Sequence, residues 1–226
     1  MSYPIKYPTP QGANIQIFNG GDPQSSGHAA ERTWVKPQGA SFVWFTLIGA
    51  GGGYNGANGF GGGSGGVTNF MCPAFLIPDS LNVTVGVGGP TNNDGTTSFV
   101  SYQQKAGTGY SLLTANGGVS GGIGGNAMTA NYFTPMGFFQ SVAGQDGASA
   151  TVSASATTFL SGGGGGGLVT SNYGYSSITS GIFQMQPIIV GVGGGSSANG
   201  NGGVGCGGGG GTTGRGGDGM VVIITW

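Results

Sequence analysis

The sequence contains very little charge. Five Lys plus Arg and six Asp plus Glu are spread over 226 residues, and the formal net charge is −1. A nucleic-acid-binding surface needs positive charge to neutralise phosphates, so this composition argues against nucleic-acid binding. Disordered chains are usually charged and poor in aromatics, whereas this chain has 12 Phe, 8 Tyr and 3 Trp. We therefore expect a packed protein that does not bind nucleic acid.

The residues that carry most enzyme chemistry are also scarce. Two cysteines and one histidine cannot supply a four-ligand zinc site, and His28 stands between Gly27 and Ala29 in a segment that we expect to face solvent. Cys72 and Cys206 could form one disulfide or remain free thiols. The acidic residues are dispersed in turn contexts such as "NNDG" and "PDS", where Asp serves the backbone. We predict no catalytic residue, no metal and no enzymatic activity.

Glycine motifs for nucleotides are absent as well. "IGAGGGY" follows a strand-like run, but Tyr54 takes the place of the last glycine of the dinucleotide fingerprint and no helical pattern follows. No glycine run continues into Lys-Ser or Lys-Thr, so there is no P-loop. We expect no cofactor. The N-terminus lacks a basic segment followed by an apolar one, so we expect no signal peptide. The longest apolar run is "FVWFTLI", which is too short to span a membrane, so we expect no membrane insertion.

Strand-like segments alternate with glycine runs along the chain. The strongest strands are predicted at Phe42–Ile48, in "LNVTVGVGG" with alternating Val83, Val85 and Val87, around Ile188–Val192, and in the terminal "MVVIITW". Weaker ones are "TTSFVSY" and "FFQSV". No apolar repeat of helical period extends over eleven residues. The sequence therefore predicts an all-β protein with essentially no α-helix.

The glycine runs, which contain most of the 56 glycines, require an explanation of their own. Ordering a glycine costs roughly 0.5–1 kcal/mol more than ordering an alanine. Extended polyproline-II-like strands of glycine could offset that cost, because backbones without Cβ atoms approach closely enough to hydrogen-bond on all sides. We then expect Ala50, Ser64 and Cys206, which interrupt the runs, to lie at the margin of such a bundle or to be small enough to fit. The alternative is that the runs are flexible linkers.

Two regions are predicted. Residues 1–32 are rich in Pro, Gln, Asn and Ser and are interpreted as an extended N-terminal arm with one short strand at Asn14–Phe18, suited to docking on a partner or else a frayed terminus. Residues 33–226 form the glycine-rich β domain.

A family resemblance is carried by the ordered series "TWVKPQGASFVWFTLIGAGGG", "GGGSGGV", "LNVTVGVGG", "ANGG" and "GRGGDGMVVIITW". With Trp34, Lys36 and Pro37 at its opening and Gly216–Gly219 at its close, the series resembles the glycine-rich domain of bacteriophage and other viral structural proteins. It is also similar to the glycine-rich, tumour-necrosis-factor-like domain of the anaplastic lymphoma kinase receptor family, and to the polyglycine II tail adhesins of T-even phages. The resemblance implies a jelly-roll-like β-sandwich with an inserted bundle of polyglycine II helices.

The resemblance also implies a function. It suggests a non-enzymatic virion structural protein on the particle surface of a bacteriophage: a capsid-decorating, head-fibre or tail-fibre component that contributes to host-surface attachment. Expected partners are other virion proteins, bound through the arm, and a host-surface glycan or protein. The family also suggests a homo-oligomer, with a trimer as the model. The alternative is an ice- or polysaccharide-binding surface protein with a polyglycine II scaffold, for which "TVSASATTF" at 151–159 supplies the threonine, serine and alanine pattern of a flat binding face.

Candidate recognition residues lie in two polar, aromatic segments, 126–140 and 168–183, which we expect to project as loops. Tyrosine offers contact area at small entropic cost, so the candidates are the residues of "NYF" and "NYGY". They are Asn131, Tyr132, Phe133, Asn172, Tyr173 and Tyr175. The alternative is that these aromatics pack against the protein's own sandwich or a neighbouring subunit.

Overall fold

A computed structural model describes residues 13–20, 31–57, 59–102, 110–147, 200–209 and 214–226. The predicted strand around Ile188–Val192, the glycine run 162–167, His28 and the arm residues 1–12 and 21–30 lie outside these ranges.

Nine β-strands occur in the described residues, and no α-helix does, which confirms the predicted all-β class. The strands are β1 Asn14–Asn19, β2 Glu31–Val35, β3 Phe42–Ile48, β4 Val67–Pro73, β5 Ser80–Thr84, β6 Ser98–Tyr102, β7 Tyr110–Ala115, β8 Phe138–Val142 and β9 Met220–Thr225. Two short 3₁₀ turns, Ala74–Leu76 and Thr134–Met136, precede β5 and β8.

The strands form two antiparallel sheets. The larger sheet has the order β1-β9-β3-β4-β8, and the smaller sheet has the order β2-β5-β6-β7. Strand β9, close to the C-terminus, lies between β1 and β3 and pairs with both. The first and last described strands of the chain are therefore neighbours, with β1 at the edge of the larger sheet and β9 next to it.

The two sheets share one apolar core. Because side chains alternate along a strand, Phe45 and Leu47 of β3 point to the same face as Ile223 of β9. They belong to one cluster of buried side chains with Val83 and Val100 of the smaller sheet. Trp34 of β2 is fully buried in this cluster and meets Phe45 edge-on, with ring centroids 6.1 Å apart. Trp34, the first residue of the Trp-x-Lys-Pro motif, is therefore a core residue.

Strand β9 is buried on both faces, which explains why its sequence is a continuous apolar run instead of an alternation. Val221 and Ile223 face the shared core. Met220, Val222 and Ile224 belong to a second buried cluster on the outer face of the larger sheet, together with Ile48 and Val67.

Most predicted strands are confirmed where the structure describes them: β1, β3, β6, β8 and β9 coincide with the predicted segments to within two residues at each end. The strand predicted in "LNVTVGVGG" is β5, but it ends at Thr84 and does not include Val85 and Val87. Beyond Thr84 the chain enters the glycine-rich region. Strands β2, β4 and β7 were not predicted. Part of the segment 126–140, which was expected to project as a loop, is the start of edge strand β8.

The described part of the predicted arm contributes to both sheets, and its strand β1 belongs to the larger one. Strand β1 pairs with β9 along its whole length, from Asn14 opposite Thr225 to Asn19 opposite Met220. Phe18 is buried in the core. Residues 14–19 therefore act as an edge strand, and Glu31 and Arg32 already belong to β2.

Core packing predicts a contrast between two isoleucines. Replacing the fully buried Ile223 by Ala should lower the free energy of unfolding by about 2–5 kcal/mol, since it removes buried methylenes and leaves a cavity. Ile123, which is 60% exposed, is the matched control, and its replacement by Ala should change stability by less than about 0.5 kcal/mol. Urea unfolding of both variants measures the difference. Equal losses would contradict the assignment of β9 to the core.

Candidate functional site

The glycine-rich segments gather at one end of the two sheets. Strand β3 ends at Ile48, directly opposite Val67 at the start of β4 and Met220 at the start of β9. The connections between antiparallel strands must therefore lie beyond that same end. We call these segments the glycine bundle, and they comprise residues 49–54, 61–66, 85–89, 93–96, 116–119, 122–125, 144–147, 202–208 and 214–219.

Residues 49–54 donate hydrogen bonds with a period of three residues. Their six backbone N–H groups donate, in order, to the carbonyls of Gly66, Thr96, Gly217, Gly63, Asn93 and Gly214 at N···O distances of 2.8–3.2 Å. Gly49 and Gly52 thus both donate to the segment 61–66. Ala50 and Gly53 both donate to 93–96, and Gly51 and Tyr54 both donate to 214–219. Successive residues of 49–54 point in three different directions.

The carbonyls of the same segment accept from three further neighbours. Ala50 accepts from the N–H of Gly118 at 2.8 Å, and Gly51 and Gly52 accept from Gly89 and Gly208 at 2.9 Å. Six other segments therefore surround residues 49–54. A strand inside a β-sheet has two hydrogen-bonded neighbours, so this arrangement is not a sheet.

Residues 61–66 repeat the pattern. The N–H groups of Gly62 and Gly65 both donate to the segment 205–208, and those of Gly63 and Gly66 both donate to the segment 116–119, with N···O distances of 2.8–3.0 Å. Ser64, between them, donates to Gln145 at 2.9 Å. A period of three is therefore common to two central segments of the bundle.

The close approach of these backbones requires glycine. A Cβ atom added to Gly51, Gly62 or Gly216 would lie closer than 3.0 Å to a carbonyl of the neighbouring segment, which no ordinary Cβ contact allows. The obstructing atoms are backbone atoms that are themselves hydrogen-bonded, so they cannot move aside without breaking the bundle.

The three residues that interrupt the glycine runs fit inside the bundle. Ala50, Ser64 and Cys206 are all fully buried, as their small size allows. The Ser64 hydroxyl accepts the N–H of Gln145 at 2.6 Å. Cys72 and Cys206 are both buried and form no disulfide with each other, which answers the question left open by the sequence. Burial raises the pKa of Cys72 to about 11, so this thiol stays protonated at neutral pH.

Three aspartates accept hydrogen bonds from backbone N–H groups in the bundle or next to it. Asp94 accepts from Ser120, Asp146 from Gly124 and Asp218 from Gly88, at 2.7–2.8 Å. These carboxylates satisfy donors at positions where no carbonyl of a neighbouring segment does so. Their role is structural, in agreement with the turn contexts seen in the sequence.

Arg215 and Asp218 form an ion pair beside Gly88, and both side chains hydrogen-bond to its backbone. The guanidinium of Arg215 pairs with the carboxylate of Asp218 at 2.8 Å, and its Nε donates to the carbonyl of Gly88 at 3.3 Å. The same Asp218 oxygen accepts the Gly88 N–H. Side chains of the "RGGDG" segment therefore hydrogen-bond to both the backbone N–H and the backbone C=O of Gly88.

The described recognition candidates have three different environments. Tyr132 is 68% exposed, as a surface contact residue would be. Phe133 is buried and packs on Phe70 with ring centroids 4.7 Å apart, so it is not a surface residue. Asn131 holds the loop: its Nδ2 donates to the Leu112 carbonyl at 3.0 Å and its Oδ1 accepts the Phe133 N–H at 2.9 Å. Asn172, Tyr173 and Tyr175 lie outside the described residues.

Within the part of the chain that the structure describes, no three His, Cys, Asp or Glu side chains come together as metal ligands. No helix in that part is long and apolar enough to span a membrane.

The chain belongs to a known family. A family model described as a glycine-rich domain matches residues 24–226, which is most of the chain. The match begins before β2, in the region predicted as the arm, and extends to the C-terminal residue. None of the curated proteins matches the chain in sequence.

The bundle geometry predicts the effect of one added methyl group. Replacing Gly51 by Ala should destabilise the fold by about 3 kcal/mol or more, because the methyl overlaps the Cys206 carbonyl. Gly56 is the matched control: its nearest neighbour would be Asn92 Oδ1 at 3.6 Å, so Gly56→Ala should be close to neutral. Thermal unfolding of both variants measures this. A tolerated Gly51→Ala would contradict the close packing.

The hydrogen bonds of Asp218 predict that its replacement lowers the free energy of unfolding more than replacement of an exposed aspartate does. Asp218→Ala should cost about 1.5–3 kcal/mol, since it removes a charged acceptor from a backbone N–H and from Arg215. Asp79 also forms an ion pair, with Lys36, but its side chain is 94% exposed. Asp79→Ala should therefore cost less than about 1 kcal/mol. Equal effects in denaturant unfolding would show that Asp218 does not stabilise the bundle.

Proposed function

We propose that the glycine bundle is a bundle of polyglycine II helices inserted into a jelly-roll-like β-sandwich. A polyproline-II-type helix has three residues per turn and no internal hydrogen bonds. The three-residue period of the donors in 49–54 and 61–66 supports this assignment, and so do the six hydrogen-bonded neighbours of residues 49–54. Two facing antiparallel sheets support the sandwich.

Such a bundle would be stiff. Each segment is fixed by hydrogen bonds in several directions, so bending one helix would strain bonds to several others. The entropic cost of ordering each glycine, roughly 0.5–1 kcal/mol relative to alanine, is offset by backbone bonds that residues with side chains could not make. This argues against the alternative reading of the described runs as flexible linkers.

On this basis we propose a non-enzymatic virion structural protein of a bacteriophage, placed on the particle surface as a capsid-decorating, head-fibre or tail-fibre component. The hydrogen-bonded bundle is the observation that carries the proposal: many glycines and three aspartates of the described residues are engaged in its hydrogen bonds, as a scaffold requires. Other virion proteins would bind through the arm residues outside β1. Tyr132 is the described residue proposed to contact a host-surface glycan or protein.

The alternative ice- or polysaccharide-binding function would use the same glycine bundle as its scaffold. The residues proposed for its binding face, 151–159, lie outside the described residues.

Incorporation into particles tests the proposal. Mass spectrometry of purified virions, from the phage whose genome encodes this chain, should detect the protein, and antibodies against it should label intact particles. Gly56→Ala should be incorporated normally, whereas Gly51→Ala should be lost from particles because its scaffold is destabilised. A protein that stays free in the lysate and never co-purifies with particles would overturn the proposed function.

A further inference from the structure

Three aspartates of the glycine bundle are each followed directly by a glycine. The pairs are Asp94-Gly95, Asp146-Gly147 and Asp218-Gly219. Asp-Gly and Asn-Gly sequences are chemically labile, because a glycine has no Cβ to keep its backbone nitrogen away from the side-chain carbonyl carbon of the preceding residue. Each pair is therefore a position at which the backbone can be modified without an enzyme.

The modification proceeds through a succinimide ring. The glycine nitrogen loses its proton and bonds to the side-chain carbonyl carbon, while the bond from that carbon to the hydroxyl oxygen of Asp, or to the amide nitrogen of Asn, breaks. Water is released from Asp and ammonia from Asn. A water molecule then opens the ring at either of its carbonyls. The products are aspartate and isoaspartate, in which the main chain runs through the side-chain carboxyl group.

The bundle requires glycine at all three positions. A Cβ atom added to Gly95, Gly147 or Gly219 would lie closer than 3.0 Å to a backbone oxygen of a neighbouring segment. Those oxygens belong to Gly51, Gly61 and Ile48. A bulkier residue, which would hinder the attack on the aspartate, therefore cannot replace any of these glycines. The labile sequences are a consequence of the packing.

Each pair forms the same two hydrogen bonds to one neighbouring segment. The Oδ1 atom of Asp94 accepts from the N–H of Ser120 at 2.7 Å. The N–H of Gly95 donates to the carbonyl of Gly118 at 2.8 Å. The aspartate thus binds the residue two positions after the one that its glycine binds. We call this pair of hydrogen bonds the Asp-Gly lock.

The second and third pairs repeat the lock with the same spacing. Asp146 accepts from Gly124 at 2.8 Å, and Gly147 donates to Gly122 at 2.6 Å. Asp218 accepts from Gly88 at 2.7 Å, and Gly219 donates to Gly86 at 2.9 Å. All three partner segments consist of a glycine, a β-branched apolar residue, and a glycine or serine. They are Gly118–Ser120, Gly122–Gly124 and Gly86–Gly88.

The lock opposes ring closure at both reacting groups. Burial does not prevent the reaction, because Asp94 and Asp146 are exposed to water. The proton that the glycine nitrogen must lose is held by a carbonyl, and the carboxylate that the nitrogen must reach is held by an N–H of another segment. Both hydrogen bonds must break before the ring can form, so modification requires local opening of the bundle.

We propose that the Asp-Gly locks protect these three aspartates from conversion to isoaspartate in the folded chain. The fold thereby shields the labile sequences that its own packing requires. Protection is confined to the folded state, so a locally opened or unfolded chain becomes modified at these positions. The proposal goes beyond the virion role and does not depend on it.

A related arrangement at Asn55-Gly56 can be opened by substitution. The Gly56 N–H donates to Oδ1 of Asn92 at 2.7 Å, and Asn55 Oδ1 accepts from the Ala57 N–H at 2.9 Å. Here an exposed side chain holds the glycine N–H, whereas in the bundle a backbone carbonyl does so. Asn92 has a φ of 64°, which glycine adopts readily, so Asn92→Gly removes the acceptor without straining the backbone.

Deamidation rates test the protection at Asp94. Asp94→Asn keeps an Oδ1 acceptor for the Ser120 N–H, and its deamidation changes the peptide mass, which mass spectrometry detects. In the folded full chain at neutral pH, deamidation at position 94 should be at least about tenfold slower than in the same variant in guanidinium chloride, because reaction from the folded state requires opening. Equal rates in the two conditions would overturn the proposal.

The wild-type chain supplies a second readout that needs no substitution. Isoaspartate at positions 94, 146 and 218, measured by enzymatic methylation of the peptides, should form at least about tenfold more slowly in the folded chain than in guanidinium chloride. Formation at the same rate in both would contradict the protection.

Asn92→Gly tests whether holding the glycine N–H is what protects. It should raise the deamidation rate of Asn55 in the folded chain at least about tenfold, since the Gly56 nitrogen loses its partner. Asn93→Ala is the matched control, because Asn93 is also exposed but its side chain donates to the Thr91 carbonyl. This variant should leave the rate at Asn55 unchanged. No acceleration by Asn92→Gly, or an equal acceleration by Asn93→Ala, would overturn the proposed mechanism.

Discussion

The structure depends on one constraint: backbone N–H and C=O groups that leave water must find partners. In the sheets, neighbouring strands supply those partners in one plane. In the glycine bundle they come from all around a segment, as for residues 49–54 with their six neighbours. That arrangement requires backbones so close that a Cβ on Gly51 or Gly216 would meet a carbonyl. Glycine is therefore a packing requirement of this fold, and its abundance follows from the hydrogen bonding.

The sheets and the bundle stabilise each other where they meet. Ser98, the first residue of β6, donates from its hydroxyl to the carbonyl of Ile48 at 2.7 Å and accepts the N–H of Gly86 at 2.9 Å. One buried side chain thus connects the end of β3, the start of β6 and a glycine segment. The ends of the paired strands fix where each glycine segment begins. Strand pairing therefore helps to set the register of the segments in the bundle. Among the described residues, the two ends of the sheets therefore differ: the bundle end has few side chains, whereas Phe42 and Phe75 are exposed at the other end.

Local sequence predicted the strands with strong β-branched or aromatic patterns, such as β3 and β9, but it missed β4. That strand, "VTNFMCP", includes polar residues that periodicity assigns to a surface. Asn69 is nevertheless buried, because its Oδ1 accepts from Thr46 across the strand pair at 2.8 Å. The site was predicted less well. Tyr132 is exposed, but Phe133 packs inward, and Asn131 with Thr134 forms a local turn in "NYFTP" that could have indicated a structural role for the asparagine.

By itself, the sequence determined the all-β class and the positions of the strands with the strongest apolar pattern, such as β3 and β9. Those properties follow from composition and local periodicity. Only the tertiary structure decided which glycine segment neighbours which, because glycines are alike and nothing local distinguishes one acceptor from another. Gly51 donates to Gly217, 166 residues away along the chain, and Gly63 donates to Val119. Such pairings are fixed by the order of strands in the two sheets, which places the end of each strand beside its neighbours.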